Sequence, residues 1–200
     1  MLKVALLSAA HVHAAAYIVA LANHPRAVFA GVWDDDVSRG AEFAANFHVP
    51  FVPELSDLLN QSDAVIITSE NRKHLANIRA AAAHHLPILC EKPVVTTAQE
   101  IEEIRIAAKD LIFMTAFPCR FHPAWGAFKK KVEGIGKIHA IAATNRGQCP
   151  GGWFVEEELS GGGAMIDHTV HVADLIRDLL RGDRLRGDLL GGEPTRVEAS

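Results

Sequence analysis

The stretch "KVALLSAAHVHAAAY", residues 3–17, passes from an apolar run into an alanine-rich segment through a turn with two histidines and no glycine. The run "KVALLS" is typical of a buried strand, and residues 12–23 have the spacing of a helix that ends near Pro25. A strand that turns directly into a helix is the first unit of a parallel α/β sheet. The turn therefore lies at the carboxyl end of a strand, where such sheets bind ligands.

The same alternation of strand and helix continues to about residue 117. Further strands are predicted at 27–33, 50–52 (very short), 63–69, 87–91 and 111–117, and helical segments at 37–47, 56–61, 74–85 and 97–109. Alternation with short connections predicts an α/β fold with a doubly wound parallel sheet. We assign residues 1–118 to this first domain.

The rhythm changes after residue 118. A helix is predicted at 122–133, a half-exposed strand at 136–147 and a long helix from about 164 to 181, and the final "TRVEAS" has the pattern of one more strand. Residues 119–200 are therefore expected to begin a second domain.

The composition excludes several classes of protein. The 200 residues are 49% apolar with a formal net charge of −4, which gives no electrostatic reason to expect nucleic acid or an anionic membrane as partner. No apolar run reaches the roughly 20 residues that span a bilayer. The three cysteines are odd in number and far apart, which favours reduced thiols and a cytoplasmic protein.

Asp34 follows the second strand within "WDDD". A carboxylate at this place in a dinucleotide-binding fold bonds the ribose hydroxyls of the adenosine. Three adjacent acids repel a 2′-phosphate, so NAD is favoured over NADP, although Arg39 lies close enough to leave NADP open. The alternative is a solvated turn that caps the next helix.

Two further motifs contain groups suited to acid–base chemistry. Lys92 of "CEKP" follows a strand, and a partly desolvated lysine there can orient a substrate oxygen or donate a proton to it, although an isolated lysine in a loop is usually only solvated. Asp167 and His171 lie four residues apart on one face of the last predicted helix, which suits an acid–base pair or an ordinary surface pair.

These motifs in this order resemble the glucose–fructose oxidoreductase / inositol dehydrogenase (Gfo/Idh/MocA) family. The matching pieces are "VWDDD", "SENRKH", "CEKPV", "FPCRFHPAW" and "GGGAMIDHTVHVADLI". The resemblance implies a Rossmann domain that binds NAD(P), a second domain with a large open sheet, and hydride transfer at a hydroxyl-bearing carbon of a sugar or polyol. It also implies a small-molecule substrate and assembly as a homo-oligomer.

The resemblance carries roles to positions of this sequence. It implies that Lys92, His171 and Asp167 are catalytic. Trp153 and Phe154 lie in a loop for which two roles stay open, lining the substrate pocket or covering the core. The cofactor-binding positions that it implies, together with those read from the turn itself, are Ser8, Ala10, His11, His13, Asp34, Ser69, Asn71, His74, Glu91, Lys92, Pro93 and Arg120.

This sequence departs from the family pattern in two respects. Ser8, Ala10 and His13 replace the three glycines of the phosphate-binding turn, so NAD is expected to bind more weakly or in a different pose. The chain is also much shorter than family members, which suggests a fragment or a fold completed by another copy, and makes activity doubtful if the second sheet is missing.

Two other functions remain open. A non-catalytic member of the same fold would bind a nucleotide or another ligand without turnover. A metal-dependent hydrolase would use the His11/His13 pair, with ligands from His168, His171 and Asp174, although 200 residues are few for an eight-fold barrel. The favoured interpretation contains no metal site.

Overall fold

A computed structural model describes residues 1–136 and 138–181 and divides the chain into two compact units. The first unit comprises Met1–Ala116 together with Pro150–Gly161, and the second comprises Phe117–Cys149 and the chain from Gly162 onward. The sequence alone predicted one boundary near residue 118. It gave no indication that residues 150–161 group with the first unit.

The first unit is built on a parallel sheet of five strands. In chain order these are β1 (Leu2–Leu7), β2 (Ala27–Trp33), β3 (Ala64–Ile67), β4 (Ile88–Cys90) and β5 (Phe113–Thr115). Their order across the sheet is β2-β1-β3-β4-β5, and every neighbouring pair is parallel. The predicted α/β class is confirmed, because only helical crossovers can return the chain to start each parallel strand.

Helices follow the strands as the sequence predicted. The first unit contains α1 (Ala14–Ala22), α2 (Val37–Phe47), α3 (Leu55–Asn60), α4 (His74–Ala83), α5 (Ala98–Ala107) and the short α7 (Glu157–Ser160). Local capping sets several of these ends: the Asp36 side chain accepts the N–H groups of Ser38 and Arg39, and Thr97 forms a capping box with Glu100. The predicted strand at 50–52 is reduced to one bridge between Phe51 and Val32.

Alternate residues of β1 pack into two apolar layers, one on each face of the sheet. Val4 and Leu6 pack with α1 and α2, while Ala5 and Leu7 face the layer formed by α3, α4 and α5. Both layers are buried, so the strands are apolar throughout and polar side chains are confined to the strand ends. The chemistry of this unit is therefore concentrated at the carboxyl edge of the sheet.

The second unit contains α6 (Pro123–Val132) and α8 (Ala164–Arg181), which agree closely with the helices predicted at 122–133 and 164–181. The strand predicted at 136–147 is wrong for the residues described there, since 138–147 have no strand structure and are mostly exposed. Alternation of apolar and polar residues gives a strand only where another strand pairs with it. The strand predicted at 195–200 lies outside the described residues. None of the described helices has the length and apolar character needed to cross a bilayer.

We predict that Gly40→Ala destabilises the first unit. A Cβ at Gly40 would lie 2.6 Å from Phe51 Cε2 and 2.7 Å from Asp34 Cβ, so helix α2 would have to move off the sheet. Overpacking of this kind costs about 1–3 kcal/mol in the free energy of unfolding, measured by urea denaturation.

Gly126→Ala is the matched control. Gly126 also lies within a helix, but a Cβ there meets no atom within 4 Å. Alanine is the better helix former, so this variant should be about 0.5–1 kcal/mol more stable. Equal effects at the two glycines would contradict the close packing of α2.

Candidate functional site

The turn after β1 keeps the backbone shape of a glycine turn although it contains no glycine. Ser8 has φ +72°, in the left-handed region that glycine normally occupies. The Ser8 N–H donates to the Trp33 carbonyl (2.6 Å), and the Thr68 hydroxyl donates to the Ser8 carbonyl (2.5 Å). These bonds from the strands on either side hold Ser8 in a conformation that costs about 1–3 kcal/mol for a residue with a Cβ.

Asp34 lies at the end of β2 with only 1% of its surface exposed, and both its oxygens are already bonded. Oδ2 accepts the Ala9 N–H (2.7 Å) and Arg39 Nε (2.9 Å), and Oδ1 accepts Arg39 Nη2 (2.6 Å) and the Asp36 N–H (2.9 Å). The Ser8 hydroxyl also donates to Oδ2. Asp34, the residue predicted to bind the ribose, is therefore buried in a bidentate ion pair with Arg39. The bonds that Asp34 accepts from Ser8 and Ala9 join the end of β2 to the turn after β1.

The ion pairs of Arg39 extend along the edge of the sheet. Its Nη1 lies 3.1 Å from Glu70 Oε1, and the same carboxylate oxygen lies 3.1 Å from Lys73 Nζ. Lys73 also pairs with Asp35, with Nζ 2.6 Å from Oδ2. Burial raises the pKa of the Asp35 carboxyl, but Lys73 and Arg39 lower it by more, so the pKa lies below its usual value. This cluster contains two cations and three carboxylates, so its formal charge is −1.

A second buried carboxylate, Glu91, lies after β4 and contacts the histidine turn. Its Oε1 accepts the Tyr17 hydroxyl (2.7 Å) and lies 3.0 Å from His13 Nδ1. The His11 ring is next to the His13 ring, with centroids 4.5 Å apart. His11, His13 and Glu91 thus form a compact cluster at the first turn of α1.

Burial and charge act in opposite directions on the two buried groups of this cluster. Burial lowers the pKa of His11 to about 4 although Glu91 opposes it, so the ring is neutral at pH 7. Burial raises the pKa of Glu91, but the hydrogen bonds from His13 and Tyr17 and the nearby His11 ring outweigh this and lower it to about 2. Burial and the neighbouring Glu91 raise the pKa of Tyr17, which stays a hydrogen-bond donor.

The loop "EKP" and the segment after β3 are joined by a buried histidine. The ring nitrogens of His74 lie 2.9 Å from the Pro93 carbonyl and 3.1 Å from the Ser69 carbonyl, and burial lowers the pKa of this ring. Lys92 is 4% exposed, and its backbone N–H donates to Glu91 Oε2. The predicted residues Ser69, His74, Glu91, Lys92 and Pro93 therefore all lie at the carboxyl edge of the sheet in the first unit.

The segment Pro150–Gly161 crosses this edge. The Trp153 indole N–H donates to the Ala10 carbonyl (3.0 Å), and the Phe154 ring meets the His11 ring edge-on at 5.4 Å. At the far end of the segment, the Asn71 side-chain amide donates to the Ser160 carbonyl (2.9 Å). The prediction that Trp153 and Phe154 line a pocket is untested, but both cover the turn after β1.

The remaining predicted residues lie in the second unit. Arg120 forms a bidentate pair with Asp174, with Nε–Oδ2 2.7 Å and Nη2–Oδ1 2.5 Å, so its guanidinium binds α8. Asp167 has the His168 ring nitrogen at 3.7 Å, and the His171 ring contacts the Phe117 ring edge-on. Asp167 and His171 belong to one helix, as predicted, and Lys92 belongs to the other unit.

Sequence reasoning missed Tyr17 and the cluster around Arg39. Tyr17 lies in the predicted first helix, but only the fold brings its hydroxyl to Glu91, 74 residues away. The signal for Arg39 was its position five residues after Asp34, one turn into the helix that follows β2.

When the parallel bridge of Phe51 to β2 is counted as a further, minimal strand, the strand order is that of a Rossmann sheet. Together with the first strand–turn–helix unit and the acidic residue at the end of β2, it is typical of a Rossmann-type dinucleotide-binding domain. The sequence profile described as "Oxidoreductase family, NAD-binding Rossmann fold" matches residues 3–114, and the profile of the GFO/IDH/MocA C-terminal domain matches residues 131–200. The chain belongs to this NAD-binding oxidoreductase family, and the resemblance noted from the sequence is confirmed.

Individual relatives agree with this assignment. The chain is 30% identical over 155 residues to the 1,5-anhydro-D-fructose reductase of Ensifer adhaerens, covering 72% of this chain and 46% of that protein. It is 31% identical over 152 residues to the inositol 2-dehydrogenase of Acidothermus cellulolyticus, covering 73% and 44%. The chain therefore spans somewhat less than half the length of these curated relatives.

Solved structures share the fold. GenD2 from gentamicin A biosynthesis, solved in complex with NAD, superposes with a TM-score of 0.74 at 18% identity, over 90% of this chain and 54% of that one.

We predict that Tyr17→Phe destabilises the first unit by about 1.5–3 kcal/mol at pH 7, because it removes a hydrogen bond to a buried, ionised carboxylate. Glu91 is held ionised, so its contribution is present above its usual pKa of 4.5 and is lost as the pH falls through about 2. The difference in the free energy of unfolding between the wild type and Tyr17→Phe should therefore shrink as the pH falls below 4.5. Urea denaturation of the wild type, Tyr17→Phe, Glu91→Gln and the double variant measures the coupling, and additive losses would refute it.

We predict that Arg39→Met costs about 3–5 kcal/mol, because methionine keeps the aliphatic volume but leaves Asp34 buried without its cation. Arg105→Met is the control, since Arg105 pairs with Glu102 on the exposed face of α5 and its loss should not change stability measurably. If both variants unfold at the same urea concentration, the Arg39 cluster does not stabilise this edge.

Proposed function

We propose that this chain acts as an NAD(P)-dependent oxidoreductase, with NAD favoured, that transfers a hydride to or from a hydroxyl-bearing carbon of a small molecule, with a sugar or polyol as the substrate class. Membership of the oxidoreductase family carries the proposal. The names of the relatives support the substrate class, since they include a sugar reductase and inositol dehydrogenases.

The turn after β1 fits a dinucleotide in its backbone. Ser8 has the left-handed conformation that the first glycine of a phosphate-binding turn supplies, and α1 begins directly after the turn. The N-terminus of a helix offers unpaired N–H groups and a positive dipole end to phosphate. Ser8, Ala10, His11 and His13 are the residues that would hold the pyrophosphate. NAD, when bound, supplies the hydride acceptor and donor.

Several groups of the same turn are already hydrogen-bonded within the protein, and these bonds compete with binding of the cofactor. The N–H groups of Ala9 and Ala10 already donate to Asp34 and to the Ser8 hydroxyl, and Trp153 is bonded to the Ala10 carbonyl. A dinucleotide must exchange these bonds rather than fill vacant ones. We therefore expect weak binding, with a Kd between high micromolar and millimolar, about −4 to −6 kcal/mol.

The charges at the end of β2 favour NAD over NADP. Arg39 is the cation nearest Asp34, and its guanidinium is bonded to Asp34, Asp35 and Glu70. A 2′-phosphate would meet a cluster of net charge −1 whose arginine is already neutralised. The ribose hydroxyls of NAD would donate to the Asp34 carboxylate in exchange for hydrogen bonds that it already accepts.

Each remaining predicted residue has a proposed role. Lys92, buried in the loop after β4, would orient the substrate oxygen and exchange a proton with it. His171, with Asp167 on the same helix, would be the acid–base group. The positions proposed to shape the nicotinamide side are Ser69, Asn71, His74, Glu91 and Pro93, whereas Arg120, bonded to Asp174, would act by holding α8.

We further propose a cytoplasmic homo-oligomer. Cys90, Cys119 and Cys149 are all free thiols, which suits a reducing compartment. A partner copy would supply contacts for the open sheet that the family places in the second domain.

A non-catalytic ligand-binding protein is the second candidate. The saturation of Asp34 and the cover of Trp153 over the turn favour it, because both groups are satisfied without cofactor. The two candidates differ in turnover, not in fold.

The first test is a titration with NADH in which binding is measured by the quenching of tryptophan fluorescence. The second is an assay of NADH formation from NAD with a panel of sugars and polyols. We predict saturable binding in the range above, tighter for NADH than for NADPH. Lys92→Ala should abolish turnover and leave the Kd for NADH within about twofold. No fluorescence response at millimolar NADH would refute the oxidoreductase proposal.

Lys109→Ala is the matched control, since Lys109 is an exposed lysine of the same unit and should change neither quantity. Binding of NADH with no turnover by the wild type on any panel member would favour the non-catalytic candidate. Loss of NADH affinity in Lys92→Ala would contradict the role given to that lysine.

A further inference from the structure

His11 and His13, which we proposed to hold the pyrophosphate, form with Glu91 a cluster that also suits a metal ion, so the two ligands would compete for these side chains. Each of the three side chains offers one ligand atom, and the three atoms lie within 4.8 Å of one another. Two imidazole nitrogens and one carboxylate oxygen form a donor set typical of zinc and other divalent transition metals. From this geometry, we propose that His11, His13 and Glu91 bind one divalent transition-metal ion, with zinc as the best match.

The spacing of the cluster fits a metal with little rearrangement. Zinc binds nitrogen and oxygen ligands at about 2.0–2.2 Å, which puts two ligands of one ion about 3.0–3.5 Å apart. His13 Nδ1 and Glu91 Oε1 are already 3.0 Å apart. The longest separation among the three ligand atoms is at most 4.8 Å.

His11 provides an independent sign that the cluster is incomplete. The residue is 2% exposed, and its Nε2 is buried without a hydrogen-bond partner among the described residues. An unsatisfied buried nitrogen costs about 1–3 kcal/mol. Its other nitrogen, Nδ1, accepts the His13 N–H at 3.1 Å. Coordination through Nε2 requires the ring proton to move from Nε2 to Nδ1, so the hydrogen bond from the His13 N–H is given up and the unpartnered Nε2 gains a metal bond.

The surroundings of Glu91 resemble the support of a metal ligand. The Tyr17 hydroxyl donates to Oε1 at 2.7 Å, and the Lys92 N–H donates to Oε2 at 3.2 Å, so both carboxylate oxygens are held in place. Such outer contacts orient a ligand and strengthen metal binding. His13, whose side chain is 46% exposed, gives a metal ion access from solvent and leaves a fourth position for water.

Other carboxylates of the first unit are weaker candidates for a metal. Asp34 and Glu70 are buried too, but arginine or lysine side chains neutralise them. Glu91 instead accepts the Tyr17 hydroxyl and lies 3.0 Å from the His13 ring nitrogen. A cation that enters this edge of the sheet therefore binds best at Glu91.

The test is a titration of chelator-treated, dialysed protein with zinc, measured by isothermal titration calorimetry in the absence of any dinucleotide. We expect one zinc per chain with a micromolar or tighter Kd, and a cobalt complex with the visible bands of a four-coordinate ion. His13→Ala and Glu91→Gln should each weaken zinc binding on the order of 100-fold. Both variants are checked for folding by circular dichroism, and His13 is half-exposed, so its loss leaves the core intact.

His24→Ala is the matched control, because His24 is an exposed histidine just beyond the other end of α1. Zinc binding that is unchanged in His24→Ala and lost in the other two variants supports the site. Absence of 1:1 binding by the wild type, or wild-type affinity in either His13→Ala or Glu91→Gln, overturns it. Since no dinucleotide is present, failure here is separate from failure of the proposed oxidoreductase function.

Discussion

The burial of charged carboxylates at one edge of the sheet is the constraint on which the rest of this unit depends. Asp34, Glu70 and Glu91 follow β2, β3 and β4, and each is 1–2% exposed. An isolated buried carboxylate is too costly to persist, so each needs a cation or several hydrogen bonds nearby. Arg39 meets this need for Asp34 and Glu70 and links β2 to β3. Tyr17 meets it for Glu91 and links α1 to β4.

This constraint also shapes the turn after β1. The Asp34 carboxylate holds the Ala9 N–H and the Ser8 hydroxyl, and these bonds help to keep Ser8 in the left-handed conformation without a glycine. The contacts that preserve the shape of a phosphate-binding turn thus use some of the groups that a phosphate or ribose would use. Fold and cofactor affinity are in competition here, which is consistent with a family member that binds NAD weakly.

The elements of the first unit were predictable from sequence because each depends on local pattern. The bounds of β2 and α2 agree with the prediction, since apolar runs and the Asp36 cap act within a few residues. The strand predicted at 136–147 is absent from the described residues 138–147, because a strand requires a partner strand and a half-exposed pattern does not supply one. The placement of residues 150–161 over the turn after β1 rests on contacts such as Trp153–Ala10, 143 residues apart, which no local rule anticipates.

The site was predictable in its members but not in their bonding. Position after a strand identified Asp34, Glu91 and Lys92 correctly as residues of the carboxyl edge. The pairing of Asp34 with Arg39 and the cluster of Glu91 with His11 and His13 required the fold, because strand order decides which strand ends are neighbours.

The central claim is that the glycine-free turn still receives the phosphates of a dinucleotide. The most direct measurement is a crystal structure of the protein grown with saturating NADH. The account predicts phosphate density against the N-terminus of α1, with the Ser8 turn unchanged in shape and Trp153 displaced from the Ala10 carbonyl. A turn without ligand, still covered by Trp153 at saturating NADH, would contradict it.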